Sequence, residues 1–387
     1  MKRNVGASWR KGGRALASGV VLILFTALPC RSSRASPAPL SFRIPPAPRL
    51  TICSQNLANY GLPEEVASRV QGRKGVPLAE REALLVERFR SAGCRLIAVQ
   101  EVVGSSPERA MAGLQRLAEV LSAANGERFV PVLGGARQGD VRVGFLVAAE
   151  EVAVERAISY AGLLLPKLET SRRFERLSRG PLVIQVRWRS QRVTVINIHF
   201  KSKYGGGRDP YRLQFEMMRM QMAHHLRQLL EAHFSDELRS SDSWLVVLGD
   251  RNSRRGSASD AILRGERTLA DFSVSSPKTG GCIVAKSGEA VCPDVPVFRY
   301  PLLDSVLVPR FLSGYPLGSF RYQGKDEWID EIAIPRQALG TALAAGQSPR
   351  SRVVWEPEGA SDHALVAVEL FEAVQEDSRP IKESTFR

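Results

Sequence analysis

Short apolar runs rich in Val, Ile and Leu recur along the middle of the chain, between longer stretches whose apolar residues return every three or four positions. The short runs predict β-strands near 50–56, 96–101, 129–133, 142–148, 181–188, 192–200, 244–250, 329–334 and 364–370. The longer pattern predicts amphipathic helices over 80–93, 108–125 and 211–232. Strands outnumber helices, and 181–188 is expected to pair with 192–200 as a hairpin across Arg189, Ser190 and Gln191. This mixture predicts a layered α/β domain with mixed sheets, not a parallel doubly wound sheet.

The pattern differs at both ends. Lys2, Arg3, Arg10, Lys11 and Arg14 precede an apolar run from Ala15 to Leu28, with no acid among them. That run is shorter than the ~20 residues a membrane-spanning helix requires, so residues 1–35 read as a secretory leader cut near Ala35. A lipid-anchored Cys30 would need a small residue before it, where Pro29 stands. Residues 36–48, rich in Pro, Ser and Ala, read as a linker, 49–373 as the catalytic domain and the polar 374–387 as a disordered tail.

The formal charge of +14 shrinks once the leader is set aside. Seven of the 54 Lys and Arg residues lie in 1–35, which hold no Asp or Glu, so 47 basic residues face 40 acidic ones beyond it. The surplus favours a polyanionic partner only modestly. Cys282 and Cys292 flank a Gly-rich polar stretch and, in an oxidising compartment, are expected to form the only disulfide. Cys53 and Cys94 adjoin apolar runs and read as buried thiols. No Cys/His spacing suits structural zinc and no GxxxxGK[ST] loop occurs, which argues against nucleotide-driven chemistry.

The chemistry concentrates where apolar strands stop. TICSQN ends at Asn56, LIAVQE at Glu101, VTVINIH at His199, WLVVLGD at Asp250 with Asn252 beyond, and EWID at Asp330, while Ser361-Asp362-His363 precedes the strand ALVAVEL. Any one of these has a dull explanation as a turn former or a core histidine. Six together match metal-assisted hydrolysis of a phosphodiester. Carboxylate and amide oxygens suit a hard cation, and imidazoles beside carboxylates suit proton transfer.

At these residues the chain resembles the endonuclease/exonuclease/phosphatase superfamily from about residue 49 to 371, with RGPLVIQV at Arg179, NIHFKSK at His199, LGDRN at Asp250 and SDH at His363 in family order. The resemblance implies a four-layered α/β sandwich of two mixed β-sheets flanked by helices. It implies Glu101, assisted by Asn56 and Asp362, as ligands of Mg²⁺, with Mn²⁺ or Ca²⁺ as alternatives. Asp250 and Asn252 would orient water and phosphate, Asp330 an imidazole, and His199 would protonate the leaving oxygen or steady the transition state. The general-base role stays shared between Asp250 and His363. Arg251 stands where the family usually places an aromatic or aliphatic residue, and Glu331 where His, Tyr or Arg is common; strand alternation is expected to point both away from the site.

His199 and the continuation FKSKYGGGR resemble secreted bacterial nucleases, so Arg179, Lys201 and Lys203 are expected to bind substrate phosphates, DNA more than RNA, in a monomer. A sphingomyelinase-like or phosphoinositide-directed enzyme is the alternative, and a binding module that has lost catalysis a third reading.

Overall fold

Strands buried on both faces read as near-continuous apolar runs, and they do so here because each of two sheets is covered twice. The computed structural model describes residues 48–372, except 71–75, 137–140, 166–175, 204–212, 241–242, 272–282, 285–289, 292–302, 306–317, 323, 345 and 347–348. The chain runs β1 (Arg49–Tyr60), α1 (Pro63–Val70), α2 (Leu78–Ser91), β2 (Leu96–Val103), α3 (Pro107–Asn125), β3 (Phe129–Leu133), β4 (Val141–Ala148), β5 (Val152–Ser159), β6 (Leu182–Trp188) and β7 (Gln191–His199). There follow α4 (Leu213–His233), α5 (Ser235–Arg239), β8 (Trp244–Asp250), α6 (Ala258–Leu263) and the short β9 (Ile283–Val284), β10 (Ala290–Val291) and β11 (Leu303–Ser305). The last elements are β12 (Phe320–Tyr322), β13 (Lys325–Glu327), β14 (Asp330–Pro335), α7 (Arg336–Ala344), β15 (Arg350–Val354) and β16 (Leu365–Phe371).

One six-stranded sheet has the order β15-β16-β1-β2-β4-β3 and the other β11-β14-β8-β7-β6-β5. Both are mixed: β1 and β2 are parallel, as are β7 and β8, while the remaining neighbours within these sheets are antiparallel. The two-residue side-chain period sorts each strand between layers. Trp244, Val246 and Leu248 of β8 join Leu50, Ile52, Leu96, Phe145 and Val366 in the core between the sheets. Leu245 and Val247 point the other way, onto Leu226 and Leu230 of α4. Ile97 and Val99 of β2 pack outward on Leu85 of α2 and Leu114 of α3. The result is four layers, helix, sheet, sheet, helix. α3 starts at Ser106, whose Oγ accepts from the Arg109 N–H, and ends at the left-handed Gly126.

All nine expected strands and all three expected helices are present among the described residues. The β6–β7 turn is tighter than expected, because Trp188 pairs with Gln191 and leaves only Arg189 and Ser190 outside the ladder. Edge strands β5 and β15 escaped the pattern because most of their residues face solvent or are half-buried. The leader, the linker up to residue 47, and the tail from 374 lie outside the described residues.

The cysteines require a correction. Cys53 and Cys94 are buried, but they are joined to each other in a disulfide across 41 residues, so a Cys282–Cys292 bridge cannot be the only one. The cause is topological. Parallel pairing sets Cys53 opposite Ile97, and Cys94 in the turn entering β2 comes to a Cα separation of 5.8 Å from Cys53, within the range a disulfide spans. Cys282 and Cys292 lie outside the described residues. Chain-entropy bookkeeping for a loop of this length gives about 4 kcal/mol. The double substitution Cys53→Ala and Cys94→Ala should lower urea-unfolding stability by roughly 3–4 kcal/mol, and non-reduced peptide mapping should recover the Cys53–Cys94 pair; two free thiols there would refute the bridge.

Candidate active site

Parallel strands end together, and the carboxyl ends of β1/β2 and β7/β8 bring their terminal polar residues to one edge of the sandwich. His199 stands opposite Asp250 in the β7/β8 register, and Asp250 opposite Asp330 in β8/β14. β16 runs antiparallel to β1, so the Asp362–His363 turn before it falls at the same edge, where His363 bridges to Phe320. Backbone strain collects here. Glu101 and Asn252 hold left-handed φ of 61° and 52°, as do Ala58 at 51° and Asn59 at 61° just beyond Asn56, a conformation that non-glycine residues keep only when their surroundings impose it. Gly249 is required at its position, since a Cβ there would lie 2.0 Å from the Ile198 carbonyl oxygen of the adjoining strand.

The site has two halves that share Asp250. On one side, His199 Nε2 lies 3.6 Å from Asp250 Oδ2 and 3.9 Å from Glu101 Oε1. The Asn56 NH₂ group spans the two carboxylates, 3.2 Å from Glu101 Oε1 and 3.1 Å from Asp250 Oδ2. On the other side, His363 Nδ1 is 2.8 Å from Asp330 Oδ2, and Ser319 Oγ holds Asp330 by accepting its backbone N–H. Asp250, Asp330 and His363 present ligand atoms within 4.8 Å of one another. Asp250 also accepts from the backbone N–H of Asn252 at 2.7 Å and from its amide at 3.1 Å.

The two imidazoles are pushed in opposite directions. Burial, and then the positive charge of Arg179, hold His199 well below the ordinary histidine range, so its ring is neutral at pH 7. Burial also opposes a charge on His363, but the Asp330 carboxylate outweighs it and raises the ring to about 10. Burial, and then repulsion from Asp330, lift the Asp250 carboxyl to about 7.

No family model and no curated protein matches the sequence. Solved structures do. The crystal structure of ANGEL2, described as a 2′,3′-cyclic phosphatase, superimposes with a TM-score of 0.51 at 12% identity over 84% of this chain and 95% of that one. The chain has the endonuclease/exonuclease/phosphatase fold. An endonuclease/exonuclease/phosphatase family protein from Bacteroides thetaiotaomicron matches at TM-score 0.48 and 14% identity, over 85% of this chain and 99% of that one. D. rerio TDP2 complexed with single-strand DNA product matches at 0.45 and 14%, over 83% and 98%.

Within this fold, several side chains stand otherwise than the resemblance implied. The Asn56 amide oxygen accepts the Ala58 N–H at 2.9 Å and its NH₂ faces the carboxylates, so here it braces Glu101 and Asp250 and does not turn an oxygen towards a cation. The Asp362 side chain is exposed at the rim. Arg179 donates to the carbonyls of His199 and Phe200, both at 3.2 Å, which fixes the end of β7. Lys201 lies over the Phe215 ring at 4.7 Å. Lys203 is buried in an ion pair with Glu327, over Phe320, so its charge is consumed within the protein instead of being offered to substrate. Arg251 and Glu331, the two departures from the family pattern, find each other. Both are buried, Arg251 Nη2 is 2.6 Å from Glu331 Oε2, and its Nη1 pairs with Asp260.

The motifs also hid an anchor. Arg88 of α2, fully buried, donates to the His363 carbonyl at 2.9 Å, to Gln55 Oε1 at 3.0 Å, to the Pro357 carbonyl at 2.8 Å and to the Trp355 carbonyl. Gln55 Nε2 donates in turn to the carbonyls of Asn56 and His363. One guanidinium thus ties the ends of β1 and the His363 turn together. The available signal was an arginine on the apolar face of an amphipathic helix.

With divalent ions chelated, imidazole NMR should find His363 protonated far above pH 6.5 and His199 neutral throughout the physiological range. Because the His363 pKa is raised by folding, the linked stability is full below about pH 6.5 and lost as pH rises through about 10. Asp330→Asn should therefore cost stability at pH 6 and progressively less towards pH 10; a His363 ring titrating at or below 6.5 in the unsubstituted protein would contradict this.

Proposed function

We propose that this chain is an exported, divalent-metal-dependent phosphodiesterase that hydrolyses nucleic acid, DNA in preference to RNA. The observation that carries the reading is the pair of imidazoles of opposite protonation set about one buried carboxyl that titrates near neutrality.

The residues fit a hard cation. Carboxylate oxygens of Glu101, Asp250 and Asp330 gather at one edge, a donor set that suits a hard divalent cation. Glu101, its side chain 24% exposed, would hold the ion, with the exposed Asp362 as a further donor. Bound there, a divalent ion supplies Lewis-acid stabilisation of charge on the phosphoryl oxygens. Asp250, with its pKa near neutrality, takes the proton from the attacking water, and Asn252, fixed on Asp250 and on the Phe200 carbonyl, orients it. Water oxygen bonds to phosphorus while the bond to the leaving oxygen breaks. His363, held cationic by Asp330, donates to the departing oxygen or its developing charge, and neutral His199 hydrogen-bonds a non-bridging oxygen from the opposite side. The general-base role thus falls to Asp250 and not to His363.

Export rests on the basic and apolar leader of residues 1–35 and gains support from the Cys53–Cys94 disulfide, a bond typical of oxidising compartments. The preference for nucleic acid rests on the basic surplus of the processed chain and on the cationic rim described below.

The purified protein should cleave plasmid DNA faster than RNA, sphingomyelin or phosphoinositides, and excess chelator should abolish activity. Asp250→Asn should lower kcat by about 10²–10⁴-fold with KM within a few-fold, as for loss of a general base. Glu101→Gln should raise the Mg²⁺ or Mn²⁺ concentration for half-maximal rate. Faster turnover of either lipid across Mg²⁺, Mn²⁺ and Ca²⁺ would replace the nuclease reading with a lipid phosphodiesterase.

A further inference from the structure

The loop that follows Asp250 reads Arg251-Asn252-Ser253-Arg254-Arg255-Gly256, and its two halves behave differently. Its base is fixed. Arg251 is locked between Asp260 and Glu331, its N–H donates to the Ile329 carbonyl at 2.9 Å, and Gly256 N–H donates to Asp260 Oδ2 at 2.7 Å. Its tip, Arg254 and Arg255, is exposed only two and three residues beyond Asn252.

A chain of contacts places this tip relative to the reacting centre. The Phe320 ring lies 4.7 Å from that of His363. Lys203 Nζ sits over Phe320 at 5.6 Å and pairs with Glu327, and the other oxygen of Glu327 lies 2.7 Å from Arg254 Nη2. The cluster therefore joins two cations, Lys203 and Arg254, to a single carboxylate, with the exposed Arg255 next in sequence. Both oxygens of Glu327 are engaged, but Lys203 is buried, whereas the Arg254 side chain stays 52% exposed. Among the described residues no carboxylate is paired with Arg255, so the two exposed guanidiniums of the tip outnumber the one carboxylate beside them.

We propose that Arg254 and Arg255 form a subsite for a backbone phosphate neighbouring the scissile one, on the His363 side, in place of the Lys203 that the NIHFKSK motif suggested. A guanidinium fork offers paired donors to phosphate oxygens. A tip anchored through Arg251 to Asp260 and Glu331 holds those donors without ordering a loop at each binding event. The inference rests on the nuclease reading, because the neighbouring phosphate is one of a polynucleotide backbone.

The test compares the intact protein with Arg254→Ala/Arg255→Ala on a fluorescent 20-nucleotide DNA and on bis(p-nitrophenyl) phosphate, which has no neighbouring phosphate, across a salt series with Mg²⁺ or Mn²⁺ present. KM for the oligonucleotide should rise about 5-fold or more. The slope of log(1/KM) against log[salt] should flatten by roughly one to two, as expected for one or two lost phosphate contacts. The loss in kcat/KM on the oligonucleotide should exceed that on the small diester several-fold. Arg255→Lys should recover part of the binding, since it keeps the charge without the fork. DNA cleavage with unchanged KM and salt slope in the double variant would overturn the subsite while leaving the nuclease reading standing. Hydrolysis of the small diester without any hydrolysis of nucleic acid would overturn both.

Discussion

Apolar contact holds two sheets face to face but does not say where along each other they come to rest, since it has no direction. In this protein the register is set by a pair of buried amides. Gln100 of β2 donates to Ser54 Oγ at 3.1 Å and across the sandwich to Asn197 Oδ1 at 2.8 Å, and Asn197 of β7 donates back to the carbonyls of Val99 at 3.0 Å and Gly144 at 2.8 Å. Both side chains are wholly buried, so a slipped register would strand polar groups without partners. Gln100 immediately precedes Glu101 and Asn197 lies two residues before His199. The bond between the sheets and the distance between those two functional groups are thus one constraint.

From that join the rest of the edge follows. Parallel pairing carries the ends of β7 and β8 to the same level, antiparallel pairing brings the start of β14 back beside Asp250, and Arg88 with Gln55 draws in the His363 turn. Crowding Asp250, Asp330 and His363 into a buried group is unfavourable for the carboxyls taken singly. It becomes tolerable because His363 takes up the charge of Asp330, and the remaining burden appears as the raised affinity of Asp250 for a proton. Stability is given up locally to create a group that exchanges protons near neutral pH.

The sequence made the layers legible because strands covered on both faces are apolar throughout, and it made the active edge legible because polar residues end such strands abruptly. What it left hidden has identifiable causes. β5 and β15 are edge strands with solvated faces, so neither period marks them. The Cys53–Cys94 pairing depends on β1 and β2 being parallel neighbours, which no local pattern encodes. The electrostatic fate of Lys203 was decided by Glu327, more than a hundred residues away. Alternation pointed Arg251 and Glu331 away from the cluster of Asp250, Asp330 and His363, but reading each alone concealed that they answer one another.

That last pairing decides which substitutions the LGDRN segment can bear. A buried arginine without its carboxylates, or a buried glutamate without its arginine, leaves an uncompensated charge in the interior, a defect of several kcal/mol. Loss of Arg251 alone would strand both Asp260 and Glu331, whereas loss of Glu331 alone would leave Arg251 its pair with Asp260. The interior beneath the loop therefore tolerates its arginine at a smaller cost than it tolerates that arginine's absence.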